Sequence, residues 1–109
     1  MLEGLFGNII IEKILFFLFV YGEGYPLGIA KVFGVPVNRI QQQLKRLENG
    51  GIIASRLVGK VRLYTFNQRF PFLKELKEFM AKAYEFVPEK EKDTYYRMRK
   101  RPRRAGKPL

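Results

Sequence analysis

The stretch from Pro36 to Gly51, PVNRIQQQLKRLENGG, constrains the fold of this chain more than any other. Ile40, Leu44 and Leu47 follow the spacing that places apolar side chains on one buried helix face. The two glycines that end the stretch favour a left-handed stop. The opposite side then holds amides and cations, namely Asn38, Arg39, Gln41, Gln42, Lys45, Arg46 and Asn49. The stretch therefore predicts an amphipathic helix with a strongly polar exposed face.

This polar face has two interpretations. Amide side chains can bond adenine through two hydrogen bonds, and cations can contact guanine or phosphate, which is what a DNA recognition helix needs. An ordinary solvated helix face contains the same residue types. The segments on either side of the stretch are therefore needed to distinguish a DNA recognition helix from a solvated helix face.

The charge of the whole chain favours an anionic partner. Its 109 residues include 21 Lys and Arg against 10 Asp and Glu, a formal net charge of +11. Residues 97–109 are strongly basic and contain no acid. Such an excess predicts nucleic acid as the first candidate partner and a membrane surface as the second.

The chain contains neither Cys nor His. We therefore expect no disulfide, no metal site, no cofactor and no enzymatic activity. The apolar stretch from Ile9 to Tyr21 lacks the basic leader of a secretory signal and is too short to span a bilayer. These features predict a single cytoplasmic domain without membrane contact.

Two helices are predicted before the polar-faced one. Asn8 is a suitable N-cap for a first helix that runs to about Tyr21 and is apolar on nearly all sides. Pro26 suits the first turn of a second helix over Leu27 to Phe33, and Gly34 ends it. A short helix, a tight glycine-containing turn and a longer polar-faced helix form a helix-turn-helix signature.

Between the first two predicted helices, Tyr25 is expected to begin a short extended segment. Beyond Gly51 the pattern becomes that of a β-hairpin. Residues 52–58 and 60–67 are β-rich runs on either side of Gly59. Three cations lie at or near the hairpin tip, Arg56, Lys60 and Arg62. Charge on edge strands also discourages aggregation. After a helix-turn-helix, however, we favour a cationic hairpin that straddles phosphates.

Pro71 begins another predicted helix, whose apolar residues have the spacing of a coiled-coil seam. Phe72, Phe79 and Phe86, seven residues apart, widen this apolar stripe. The stripe either packs only within its own chain or also contacts a second subunit. Because the first helix is apolar on nearly all sides, we favour a homodimer. The predicted dimerisation residues are Ile10, Phe17, Leu73, Leu76, Met80 and Ala83.

These elements predict an α+β fold class, mainly α with a small β-hairpin. Residues 1–87 form the predicted DNA-binding domain, which includes the C-terminal dimerisation helix. Residues 88–109 form a basic C-terminal extension. Within it, residues 89–100 are predicted to be helical and residues 101–109 to be a disordered basic tail.

The order of helix, helix, turn, helix, hairpin and helix resembles that of winged helix-turn-helix transcriptional regulators. The segments LFGN, YGEGYPLGIAKVFGVPVNRIQQQLKRLENGGII and SRLVGKVRLYTFNQRFPF look like small prokaryotic ArsR-like regulators over about residues 4–87. They are most similar to short winged-helix proteins found with nucleotidyltransferase-type partners. Two departures are Pro36, where many relatives have Ser or Thr, and the absence of the Cys and His that bind metal effectors.

The resemblance implies a winged helix with a long C-terminal helix that binds double-stranded DNA sequence-specifically as a homodimeric transcriptional regulator. Asn38, Gln41 and Gln42 would read bases. The cations that would mainly contact phosphates are Lys31, Lys45, Arg46, Arg56, Lys60 and Arg62. Arg39 is a further predicted DNA-binding residue. Two alternatives are a protein-interaction module for a partner such as a nucleotidyltransferase, and RNA binding with Tyr95 and Tyr96 stacked on unpaired bases.

Overall fold

The computed structural model describes residues 1–98 and has the predicted α+β class. Residues 101–109, predicted to be a basic tail, lie outside the described part. The elements are α1 (Glu3–Phe6), α2 (Ile9–Tyr21), β1 (Glu23–Gly24), α3 (Pro26–Phe33), α4 (Val37–Asn49), β2 (Ile53–Val58), β3 (Val61–Phe66), α5 (Leu73–Tyr84) and α6 (Glu89–Glu91), which continues as a π-helical segment (Lys92–Tyr96).

Helix α2 is the centre of the core. The Asn8 side chain caps it by accepting hydrogen bonds from the backbone N–H groups of Ile10, at 2.7 Å, and Ile11, at 3.3 Å. Helices α3, α4 and α5 and the π-helical segment all pack against α2. Its apolar surface is therefore covered largely by its own chain. Within residues 1–98, no helix is long and apolar enough to cross a membrane.

The sheet has three antiparallel strands in the order β1-β3-β2. The predicted hairpin is confirmed, with Ile53 opposite Phe66 and Val58 opposite Val61. Strand β1 lies just before the extended segment that was predicted to begin at Tyr25. A Cβ atom at Gly24 would lie 2.7 Å from Phe17 Cε1, so only glycine lets β1 approach α2 this closely.

The burial of α5 corrects the predicted dimerisation surface. Met80 and Ala83 are buried, as are Ile10 and Phe17 of α2. Leu73 and Leu76 are partly buried against the same core. The four buried side chains offer no surface to a second subunit, because the apolar stripe of α5 packs against α2 of its own chain.

The C-terminal extension is part of this core as far as it is described. Tyr96 is 5% exposed, and its ring packs against Phe16, at 5.7 Å between centroids. The Tyr21 hydroxyl donates to the Tyr95 carbonyl at 2.8 Å and accepts from the Met98 N–H at 3.1 Å. Of the predicted helix over residues 89–100, the part from Glu89 to Tyr96 is observed, as α6 and the π-helical segment, whereas Arg97 and Met98 are not helical. The last two residues of the predicted helix lie outside the described part.

Candidate nucleic-acid interface

Helix α4 is held against the core by the turn that joins it to α3. Gly34 ends α3 with a φ of 67°, a left-handed conformation that favours glycine. Pro36 caps α4 without a side-chain hydrogen bond, and its φ of −60° leads directly into the first helical residue, Val37. Because Ile40, Leu44 and Leu47 are buried, the amides and cations of α4 face outward.

All ten residues predicted to contact DNA are exposed. Lys31 lies on α3, Arg56 on β2, Lys60 in the hairpin turn and Arg62 on β3. The other six lie on α4, namely Asn38, Arg39, Gln41, Gln42, Lys45 and Arg46. Within residues 1–98, none of the seven cations among the ten forms an ion pair. Their charge is therefore available to an external anion.

The polar face of α4 also lacks acidic neighbours. No acid lies in the first turn of α4, so the partial positive charge of the helix N-terminus is not offset there. Glu48, near the other end of the helix, is the one acid of α4, and it accepts a hydrogen bond from the Ser55 hydroxyl at 2.7 Å. The face thus presents a positive potential with amides between the cations.

A cleft of about 460 Å³ separates the hairpin from α3 and α4. It brings together Gln41 of α4 with Lys60 and Arg62 of the hairpin. Its apolar lining was not predicted from the sequence, because these residues meet only in the fold. The lining residues are Tyr25, Pro26, Leu27, Val37, Gln41, Lys60, Val61, Arg62 and Tyr64.

A short hydrogen-bond chain orients Arg62 in this cleft. The Arg62 Nη1 group donates to Ser55 Oγ at 3.0 Å, and Ser55 donates in turn to Glu48. Burial, together with the nearby Glu48 carboxylate, raises the pKa of the Tyr64 hydroxyl, which therefore stays neutral. Sequence analysis missed Ser55 and Glu48. The available signal was strand alternation, which places Ser55 and Arg62 on one face of the hairpin.

Of the ten predicted residues, three line this cleft, namely Gln41, Lys60 and Arg62. Two of the others clearly face elsewhere. Arg56 is directly opposite Leu63, so alternation places it on the other face of the hairpin from Arg62. Arg46 lines a separate, mainly apolar depression of about 270 Å³ together with Leu15 of α2. Gln41, Lys60 and Arg62 are therefore the predicted residues that the fold brings together, and the other amides and cations near the start of α4 are exposed on the same helix as Gln41.

Tyr95 and Tyr96, the two tyrosines considered for base stacking, contact other side chains of the same chain. Tyr96 is buried, and the Tyr95 ring packs on Phe33 at 5.0 Å between centroids. The Lys13 ammonium lies 4.5 Å from the Tyr95 ring. Tyr96 is therefore not free to stack on an unpaired base, and Tyr95, which is partly buried, already contacts Phe33 and Lys13.

Comparison of the chain with protein-family models, with curated proteins and with solved structures found no match. The case for function therefore depends on the chain's own residues.

Proposed function

We propose that this protein is a winged helix-turn-helix transcriptional regulator that binds double-stranded DNA sequence-specifically as a homodimer. Helix α3, the turn and α4 form the helix-turn-helix, and β2 with β3 forms the wing. The proposal depends chiefly on one observation, the exposed, unpaired cations and amides that α4 shares with the adjacent hairpin. This arrangement suits a duplex because an α-helix fits the major groove.

The residues divide by the chemistry of their contacts. Asn38, Gln41 and Gln42 read base edges, for which their amides supply both a donor and an acceptor. Lys45, Lys60 and Arg62 bind phosphates, which fixes the register and orientation of the protein on the duplex. Two copies of α4 enter successive major grooves about one helical turn apart, at a pseudo-palindromic site.

Selection of bound sequences from a random duplex pool tests this proposal. We expect an enriched motif with two related half-sites, and an affinity that falls steeply as salt rises from about 50 mM to about 200 mM. Negligible binding to any duplex at about 50 mM salt, where non-specific electrostatic binding is measurable, would rule the proposal out. A preference for single-stranded RNA over every duplex would instead favour the RNA-binding alternative.

The exposed apolar surface of α5 favours a second candidate function, a protein-interaction module. Phe72 and Phe86 are 65% and 67% exposed, although the Phe72 ring packs edge-on against Phe70 and the Lys82 ammonium lies 5.6 Å from the centre of the Phe86 ring. Two large apolar side chains this exposed at the ends of one helix favour an interaction surface. A partner such as a nucleotidyltransferase would cover them. This function requires a stable complex with a different protein and no enriched duplex sequence, so the same selection experiment separates the two functions.

A further inference from the structure

One edge of α5 faces away from the core and is apolar. Phe72, Phe79 and Phe86 lie seven residues apart and are 65%, 40% and 67% exposed. Phe79 lies within α5, and Phe72 and Phe86 lie just outside its two ends. Seven residues are about two helical turns, so the three positions follow one side of the helix and of the turns that flank it. This line of positions runs from the residue that caps α5 to two residues beyond its end. We call these three side chains the phenylalanine edge.

The phenylalanine edge continues onto α1. The ring of Phe6 packs edge-on against Phe79, with 6.4 Å between centroids, and Leu5 beside it is 65% exposed. At about 200 Å² for a whole phenylalanine side chain, the exposed fractions leave roughly 340 Å² of ring surface per chain. A stable interface takes about 800 Å² from each partner. The edge is thus large enough for the centre of a small interface, with α1 and polar residues around it.

The charges beside the edge indicate what covers it. Glu75 and Lys82 are also seven residues apart, and each follows a phenylalanine of the edge by three positions. They therefore form a second line along the same side of the edge. Within residues 1–98 Glu75 has no ion pair. Lys82 Nζ lies 3.7 Å from Glu85, the residue just after α5, and 5.6 Å from the centre of the Phe86 ring, so its charge is beside the phenylalanine edge.

The phenylalanine edge and its neighbouring charges are complementary to the same surface of a second copy when the two α5 helices are antiparallel. If a two-fold axis passes beside Phe79, Phe72 of one copy faces Phe86 of the other. Glu75 is four residues before Phe79 and Lys82 is three residues after it. Glu75 of one copy therefore comes level with Lys82 of the second copy to within one residue, about 1.5 Å of helix rise. The same pair forms twice, as an isologous interface requires.

We propose that the phenylalanine edge binds a second copy of this chain through antiparallel pairing of the two α5 helices. Phe79 meets its own copy at the axis, and two pairs of Glu75 with Lys82 of the second copy fix the register. The inference rests on the proposed function, because a regulator that binds two half-sites requires a homodimer interface and the phenylalanine edge would supply it. It replaces the buried residues of α5 and α2 as the dimerisation surface.

A charge exchange combined with sedimentation analysis of the full chain tests the pairing. We expect the wild-type chain to dimerise with rising concentration, and Phe86→Ser to weaken dimerisation by roughly tenfold or more. Glu75→Lys and Lys82→Glu should each weaken it by placing like charges together. The double variant Glu75→Lys/Lys82→Glu should restore it. Leu57→Ser removes another exposed apolar side chain, 63% exposed on β2, and should change nothing.

Each outcome decides the inference. A wild-type chain that stays monomeric at every concentration overturns it, as does a Phe86→Ser variant that dimerises like the wild type. A double exchange that fails to restore the dimer overturns the antiparallel register. Thermal melting followed by circular dichroism checks that every variant is folded.

Duplex binding separates this inference from the proposed function. If dimerisation is absent but a duplex with a single half-site still binds, the interface and the homodimer are wrong and duplex recognition by α4 stands. If the dimer forms as described and no duplex binds, the interface stands and the proposed function falls.

Discussion

Helices α4 and α5 both pack one face against α2 and expose the other. The charged side chains on the two exposed faces differ in whether they form ion pairs. The cations of α4 form no ion pair within residues 1–98. On α5, by contrast, Lys74 lies 3.8 Å from Glu78 and Lys82 lies 3.7 Å from Glu85. Glu89, in α6, likewise bonds Arg97 at 2.9 Å.

The difference indicates two kinds of partner. Unpaired cations with amides between them suit a polyanion, because each cation can neutralise a phosphate and release a counterion. Exposed aromatic rings beside an acid and a base in alternation suit an apolar, self-complementary protein surface. The two surfaces are on different helices, so substitutions can address them separately.

The largest effect is expected from removing the charge of the α4 and hairpin surface. The triple variant Lys45→Ala/Lys60→Ala/Arg62→Ala should reduce the slope of log affinity against log salt by about 2.7 and weaken duplex binding about a thousandfold at about 50 mM salt. Salt titrations by fluorescence anisotropy measure both quantities.

The matched control for this variant removes the same charge elsewhere. Lys74→Ala/Lys77→Ala/Lys90→Ala changes α5 and α6 only, and should leave the salt slope nearly unchanged. Equal losses in the two triple variants would mean that net charge, rather than the surface of α4 and the hairpin, determines binding.

A core substitution tests which face of α5 supports the fold. Met80 is 0% exposed, so Met80→Ala should lower the free energy of unfolding by about 2–5 kcal/mol. Phe86→Ala, on the exposed edge, should change it by no more than about 0.5 kcal/mol at protein concentrations too low for dimerisation. Urea denaturation measures both. Similar losses for the two variants would contradict the assignment of Met80 to the core and Phe86 to the edge.

A smaller effect is expected at the base-reading face. Gln42→Ala should reduce discrimination at one base position by about 1–3 kcal/mol while affecting binding to all other positions little. Competition with duplexes that vary at single positions measures the change. Gln68→Ala removes an exposed amide from the loop after β3 and is the control. If Gln42→Ala keeps the wild-type base preference at every position, Gln42 does not read a base and the assignment of the base-reading residues is wrong.

The smallest effect concerns the paired charges of the C-terminal extension. Hydrogen bonds from Arg97 and Lys92 hold the pKa of the Glu89 carboxyl below its ordinary value of 4.5. A lowered pKa means that the stabilisation is present above pH 4.5 and is lost as the pH falls through the folded-state pKa. Glu89→Gln should therefore lower stability slightly at neutral pH, and its urea midpoint should converge with that of the wild type in acid. Parallel midpoints at every pH would show that the pair contributes nothing.

Much of the fold was predictable because the signals are local. Asn8, Pro26 and Gly34 mark helix ends through their own backbone chemistry, and the structure places those ends where they were expected. The spacing of Ile40, Leu44 and Leu47 likewise identified the buried face of α4. Strand β1 was missed because a two-residue strand has no alternation to detect, and it exists only through pairing with β3.

The candidate surface was predictable in its residue types and not in its arrangement. Exposure of the six residues on α4 followed from helical periodicity. Strand alternation places Arg56 and Arg62 on opposite faces of the hairpin and does not account for the exposure of both. The orientation of Arg62 depends on Ser55 and Glu48, which lie only seven residues apart but on different elements, and which meet only when β2 packs on α4. Arg46 faces a different depression for the same reason.

The sequence by itself determined helices α2, α3 and α4, most of α5, the hairpin and the polar face of α4, because periodicity and end signals act within a few residues. It did not predict α1, and α5 begins at Leu73 rather than at Pro71. Only the tertiary structure decided which apolar residues remained exposed. Met80 and Phe79 are neighbours on one apolar stripe, yet α2 covers the first completely and leaves the second 40% exposed. Which side of a wide apolar stripe is buried depends on the angle at which the helices pack, and that angle is set by contacts distant in sequence.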